Sequence, residues 1–175
     1  MGFADPRIDR VTGRCLRPLQ EVLTTSIVAG LLAEGRMPNG SIYEVGANRG
    51  IWACYWASVA PTRTVHAMDP DPRYVGIMRK NYAHITNLKP MLGAVSSASK
   101  TSSYDDASRG TKNGGGMRFF PLSAEARSSQ LQIYTIDELF SEAHWRGESL
   151  GFAQFDVDGH ERWLLEGKPP LTPHP

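Results

Sequence analysis

The chain has 175 residues, 41% of them hydrophobic, with 19 Lys plus Arg against 18 Asp plus Glu. That is one domain at most, long enough to bury a core. The balanced charge leaves no global field to attract nucleic acid or an anionic membrane surface, so small-molecule chemistry is the default.

The N-terminus, Met1-Gly2-Phe3-Ala4-Asp5-Pro6, lacks the apolar core of a signal peptide, and Pro6 stands where a myristoylation site wants Ser or Thr. No apolar run approaches membrane-spanning length. The two cysteines, Cys15 and Cys54, have no metal-ligand spacing. Cys54 lies in an apolar run, so a reduced, buried thiol is expected and with it a cytoplasmic location.

Between Pro18 and Gly35 the residues Leu19, Val22, Leu23, Ile27, Leu31 and Leu32 recur at helical spacing, and Gly35 with Pro38 ends the pattern. Residues 1–40 therefore read as an N-terminal segment carrying an amphipathic helix. Ile42, Tyr43 and Val45 then make a short buried strand. Gly46 lets the backbone turn and approach a ligand, and Gly50 lets the next helix start close to the sheet.

The spacing Glu44-x-Gly46-x-x-x-Gly50 is not the G-x-G-x-x-G of a pyrophosphate cradle, and no Walker Lys-Ser pair follows. An acidic residue in the turn suits a ligand with a positive end, such as the amino group or sulfonium of S-adenosylmethionine. The alternative is an ordinary strand-to-helix turn whose glycines serve packing alone. Asn48 in place of a glycine also disfavours a nicotinamide-dependent dehydrogenase.

Residues 51–60 read as a nearly all-apolar helix in which Trp52 and Trp56 share a core-facing side. Thr64 to Met68 is a second strand ending at Asp69-Pro70-Asp71-Pro72, and residues 73–83 read as a helix. Strand, helix, strand, helix with short links implies right-handed crossovers and a parallel sheet, an α/β fold. Asp69 stands 19 residues after Gly50 at a strand tip, where a carboxylate accepts from ribose hydroxyls. The competing use is an Asx turn before Pro70 and Pro72.

A third strand is expected over Met91 to Val95. Residues 96–116, rich in Ser, Gly and charge, predict a mobile loop or poorly ordered hairpin, with Met117 to Pro121 and Leu131 to Thr135 as flanking strands. Asp137 is placed to cap or open a short helix through Phe140. Residues 150–157 predict another buried strand leading into Asp156-Val157-Asp158-Gly159-His160-Glu161, then a short helix from Arg162 to Glu166. Several titratable groups thus gather at the carboxyl edge of the sheet, where open α/β sheets bind ligands. Leu164 occupies the position of the second histidine of H-E-x-x-H, so a zincin site is excluded and no metal is expected.

Together these segments resemble the FkbM-type methyltransferases, a branch of the class I S-adenosylmethionine-dependent fold. The matching residues are Glu44-Val-Gly-Ala-Asn48-Arg-Gly50, Met68-Asp69-Pro70, Gly93-Ala94-Val95-Ser96, Tyr134-Thr135-Ile136-Asp137 and Phe155-Asp156-Val157-Asp158-Gly159-His160-Glu161. Asn81 and Asn87 also fall where that family often has asparagine. The likeness runs from about Ser41 to Gly167 and implies a Rossmann-like, mostly parallel sheet with flanking helices. It implies S-adenosyl-L-methionine as cofactor, with Glu44, Gly46, Asn48 and Gly50 lining its methionine end and Asp69 holding its ribose. It further implies methyl transfer to a hydroxyl of a small molecule or glycan, with Asp156, Asp158 and His160 bordering the reacting centre. His160 is the candidate base, oriented by Asp156 or Asp158; alternatively His160 and Glu161 only cap the following helix.

Two departures accompany the resemblance. Gln154 stands where the family usually has lysine. After Gly167 the chain ends in Lys168-Pro-Pro-Leu-Thr-Pro-His-Pro175, whose prolines preclude a central strand or helix. The expected organisation is a methyltransferase core over 41–168, C-terminally incomplete, with a proline-rich tail over 169–175. A truncated, inactive fragment that at most binds the cofactor is the second reading. Phe152 and Phe155 would then lie on an open flank, with self-association through the exposed sheet edge.

Overall fold

The computed structural model describes residues 22–97, 100–104, 119–121, 130–141, 149–157 and 161–166. Helix α1 (Val22–Ala33) closes as the glycine signal requires. Gly35 takes φ 66°, the Arg36 N–H donates to the Leu31 carbonyl at 2.9 Å, and the Gly35 N–H donates to Leu32 at 3.2 Å. This is a Schellman end, built on the residue that enters the left-handed region without a Cβ penalty. Thr25 and Leu32 are buried and Val28 packs on the core, but Ile27 is 57% exposed, so the buried face is narrower than the apolar spacing implied. The part of the expected helix before Val22 lies outside the described residues.

Four strands, β1 (Ser41–Val45), β2 (Val65–Asp69), β3 (Leu88–Leu92) and β8 (Leu150–Phe155), form a wholly parallel sheet in the order β3-β2-β1-β8. Helices α2 (Ile51–Val59) and α3 (Pro72–Asn81) connect β1 to β2 and β2 to β3. Every residue of β1 and β2 is buried, as expected where helices cover both faces. On one face Ile42, Val65, Ala67 and Leu88 pack with Ala53, Trp56, Val75 and Met78 of α2 and α3. On the other, Val45 and Met68 pack with Leu139 of α4 (Ile136–Phe140) and Leu164 of α5 (Glu161–Glu166).

The expected strand over Met91 to Val95 is instead two strands in two sheets. β3 ends at Leu92, Gly93 intervenes, and β4 (Ala94–Val95) joins a second sheet with β5 (Lys100–Tyr104), β6 (Phe119–Pro121) and β7 (Gln130–Tyr134). Around Gly93 the backbone changes partners: its own N–H donates to Asp69 of β2, whereas the N–H of Ser96 donates to Tyr134 of β7. A Cβ at Gly93 would stand 3.2 Å from the Tyr134 ring and 3.3 Å from the Met68 sulfur, so a larger residue here would have to displace these side chains slightly.

The second sheet has the order β4-β7-β5-β6; β7 runs parallel to β4 and antiparallel to β5, and β5 pairs antiparallel with β6. Residues 100–104, expected inside a mobile loop or poorly ordered hairpin, are a strand paired on both sides. Their polarity misled because a ladder is specified by cross-strand partners as much as by intrinsic preference. Residues 98–99 and 105–118 lie outside the described residues.

Two further expectations change. Helix α4 is capped by Thr135, not Asp137: the Thr135 side chain accepts from the Glu138 N–H at 3.1 Å, and the Glu138 carboxylate accepts from the Thr135 N–H at 2.9 Å. This is the reciprocal capping box of a T-x-x-E sequence. Phe152 and Phe155 are partly buried rather than on an open flank; Phe152 meets Trp56 edge-on at 5.4 Å and Phe155 meets Phe140 at 6.3 Å. Cys54 is buried as expected, at 1% exposure. No helix among the described residues is long and apolar enough to cross a membrane.

Candidate functional site at the carboxyl edge of the parallel sheet

All strands of the first sheet point their carboxyl ends the same way, so the turn after β1, the tip of β2 and the exit of β8 meet at one edge. Here the glycine motif takes its shape from three left-handed residues. Gly46, Asn48 and Gly50 have φ of 86°, 50° and 79°. Asparagine is one of the few side-chain-bearing residues that tolerates this region, so Asn48 suits the site for a backbone reason. Its side chain is exposed, and its N–H donates to the Asp69 Oδ2 at 2.7 Å.

Asp69, 6% exposed, therefore ties the turn after β1 to the tip of β2. Its Oδ1 also accepts from the Asp71 N–H at 2.8 Å, the Asx turn that was the alternative use of the Asp-Pro pattern. The true N-cap of α3 is Asp71, which accepts from the Arg73 N–H at 2.8 Å and pairs with the Arg73 guanidinium, while Pro72 opens the helix.

The glycines work mainly through the chain's own packing. A Cβ on Gly46 would stand 1.8 Å from the Asp156 carbonyl oxygen, so this glycine admits the backbone leaving β8, whose Asp156 N–H donates to Val45 at 2.9 Å. A Cβ on Gly50 would stand 2.7 Å from the Met78 side chain and 3.0 Å from Tyr82. The close approach at Gly50 is thus to α3 rather than to the sheet. Glu44, one residue before the end of β1, is 2% exposed and pairs in register with Ala67 on one side and Gln154 on the other.

Asp156 is exposed where the chain leaves β8. Asp158 and His160, the other two residues expected at the reacting centre, lie outside the described residues. Glu161, the first residue of α5, returns to the β8 exit: its Oε1 accepts from the Val157 N–H at 3.1 Å. Glu44, Gly46, Asn48, Gly50, Asp69 and Asp156 thus share one edge. No group of three or more His, Cys, Asp and Glu among the described residues is arranged to hold a metal ion.

Sequence reasoning missed two structural partners. Asn87, noted only as a family-like asparagine, donates from Nδ2 to the carbonyls of Ala57 and Arg63 at 3.1 and 3.0 Å, closing the C-terminal end of α2. Gln154, noted as a departure, accepts a hydrogen bond at Oε1 from the Trp56 indole N–H at 3.2 Å. The apolar strand-helix pattern placed Trp56 and Gln154 in the core region but could not pair residues so distant in sequence.

Tyr134, at the end of β7, has a displaced pKa. Burial raises the phenol above its ordinary value, and the nearby Glu138 carboxylate raises it further.

Among solved structures the chain is similar to the crystal structure of Thermoplasma acidophilum 1320, at 20% identity and a TM-score of 0.33, over 41% of this chain and 36% of that one. The chain thus spans about a third of that protein's length. No curated protein matches the chain. Residues 44–171 match the model of the methyltransferase FkbM domain, beginning at Glu44 within β1 and including the β2 tip and the β8 exit. With well over half of its length covered by that model, the chain belongs to the methyltransferase FkbM domain family.

Proposed function

We propose that the protein binds S-adenosylmethionine at the carboxyl edge of β1 and β2 and transfers its methyl group to a hydroxyl oxygen of a small molecule or glycan. The family match over residues 44–171 carries this reading. The donor set supports it. Asp69, already held by two backbone N–H groups, is a fixed acceptor for ribose hydroxyls at the strand tip. Glu44 supplies a buried negative charge to the positively charged methionine end, and Gly46, Asn48 and Gly50 hold the turn over it.

The bound cofactor supplies an electrophilic methyl on sulfur. The chain's own task is to bring the acceptor oxygen in line with that methyl and to take up the hydroxyl proton. His160 is the proposed base and Asp156 or Asp158 its orienting carboxylate, because all three closely follow β8 in sequence.

Isothermal titration of monodisperse protein with S-adenosylmethionine and with NAD tests the cofactor. Binding of the first and not the second is expected. Asp69→Ala should weaken it by about 1.5–3 kcal/mol through loss of charge-assisted hydrogen bonds. Unchanged affinity in that variant would remove Asp69 from the site. Methyl incorporation into simple glycosides, with and without His160→Ala, tests the acceptor class and the base.

A further inference from the structure

Gln154 carries more than a packing role. The Trp56 indole is a donor only, so the atom facing it must be the Gln154 carbonyl oxygen. That settles which way the planar amide points and sends its NH2 to the opposite side. Among the described residues this NH2 makes no hydrogen bond, and Gln154 is only partly buried. Across the β1–β8 seam Gln154 is the register partner of Glu44, so both side chains lie on the same face. Both stand two residues before the point where Gly46 meets Asp156 at the carboxyl edge.

A carboxylate and an oriented amide donor, side by side at the end of two paired strands, complement a free α-amino acid: one takes the ammonium, the other the carboxylate. We infer that Gln154, oriented by Trp56, contacts the amino-acid portion of the cofactor together with Glu44. The inference rests on the S-adenosylmethionine reading above. A lysine, which the family resemblance would put at this position, could also bind a carboxylate but could not accept the indole N–H.

Titration with two ligands separates this role from a structural one. S-adenosylmethionine carries the amino-acid portion, whereas methylthioadenosine keeps the adenosine and the sulfur and lacks it. Gln154→Glu retains the volume and an acceptor for the indole but removes the donor. It should raise the Kd for S-adenosylmethionine about tenfold or more and leave that for methylthioadenosine unchanged. Gln154→Met, free of any new charge beside Glu44, should show the same selectivity. Trp56→Phe should shift the Kd in the same direction, and combining it with Gln154→Met should add nothing further.

Equal weakening of both ligands, or a lowered thermal midpoint with unchanged affinities, would assign the pair to packing and overturn the inference. Wild-type protein that binds neither ligand would instead overturn the cofactor reading on which it stands.

Discussion

The first sheet, β3-β2-β1-β8, is wholly parallel and its two central strands are buried at every position, whereas the second, β4-β7-β5-β6, is mixed and includes a strand as polar as Lys100-Thr-Ser-Ser-Tyr104. The contrast follows from how each is connected. Parallel neighbours need crossovers of a dozen or more residues, usually helices. Those helices mark themselves with apolar periodicity, caps and glycines, and they cover the strands so that continuous apolar runs result. In the second sheet β7 lies between β4 and β5, partners drawn from separate stretches of chain. Its specification is pairwise and distant, with Ala94, Leu131 and Ile133 as its small buried cluster.

If turn chemistry specifies the first sheet, breaking the turn should do the most harm. Gly46→Val combines a φ of 86° with a Cβ placed against the Asp156 backbone, and it should cost about 3 kcal/mol or more in urea denaturation. A folded variant of near-native stability would show that the β1 turn is not tightly constrained by β8.

In the second sheet the sharpest probe is Leu131, which is fully buried. Leu131→Ala should destabilise by about 2–5 kcal/mol. Hydrogen exchange should show protection lost first in β5 and β7, with β1 and β2 retained. Uniform loss across both sheets would mean that they open as one cooperative unit, and the distinction drawn between them would fail.

The capping box at α4 is a local device at the junction of the two regions, because Thr135 directly follows β7. Thr135→Ala should cost about 1 kcal/mol, and Thr135→Ser should recover most of it. An alanine variant indistinguishable from wild type in its denaturant midpoint would leave α4 to tertiary packing alone.

The smallest expected effect is electrostatic. The Tyr134 phenol has a folded-state pKa raised by burial and then by Glu138, so above the unfolded value the unfolded chain holds fewer protons than the folded one. Stability associated with this group is complete below the unfolded pKa and falls as pH rises through it toward the folded value. Tyr134→Phe should flatten that alkaline limb. An identical pH profile in the variant would show that Tyr134 is not its source.

What could be read in advance differs between the regions for the same reason. The β1 turn, Asp69 at the β2 tip, the apolar helix with Trp56 and the strand beginning at Leu150, though two residues shorter than expected, were legible because each is a short-range pattern. Gly35 as the terminator of α1 was legible because left-handed φ selects glycine. The division at Gly93 was not, since the run from Met91 to Val95 reads as one strand until Tyr134 and Met68 are seen to crowd it. Thr135-x-x-Glu138 was a readable capping signal that the more acidic Asp137 obscured.

By itself the sequence determined the parallel βαβ order, the left-handed glycine turn and the gathering of acidic residues at strand ends, because periodicity, φ preference and strand polarity are properties of neighbouring residues. Tertiary structure alone decided that Gly46 yields to the Asp156 carbonyl, that Asn48 reaches Asp69 through its backbone N–H, and that Trp56 orients Gln154 beside Glu44. Those are contacts between segments of chain far apart in sequence. Their geometry exists only once β1 has paired with both β2 and β8, and no spacing rule along the chain encodes it.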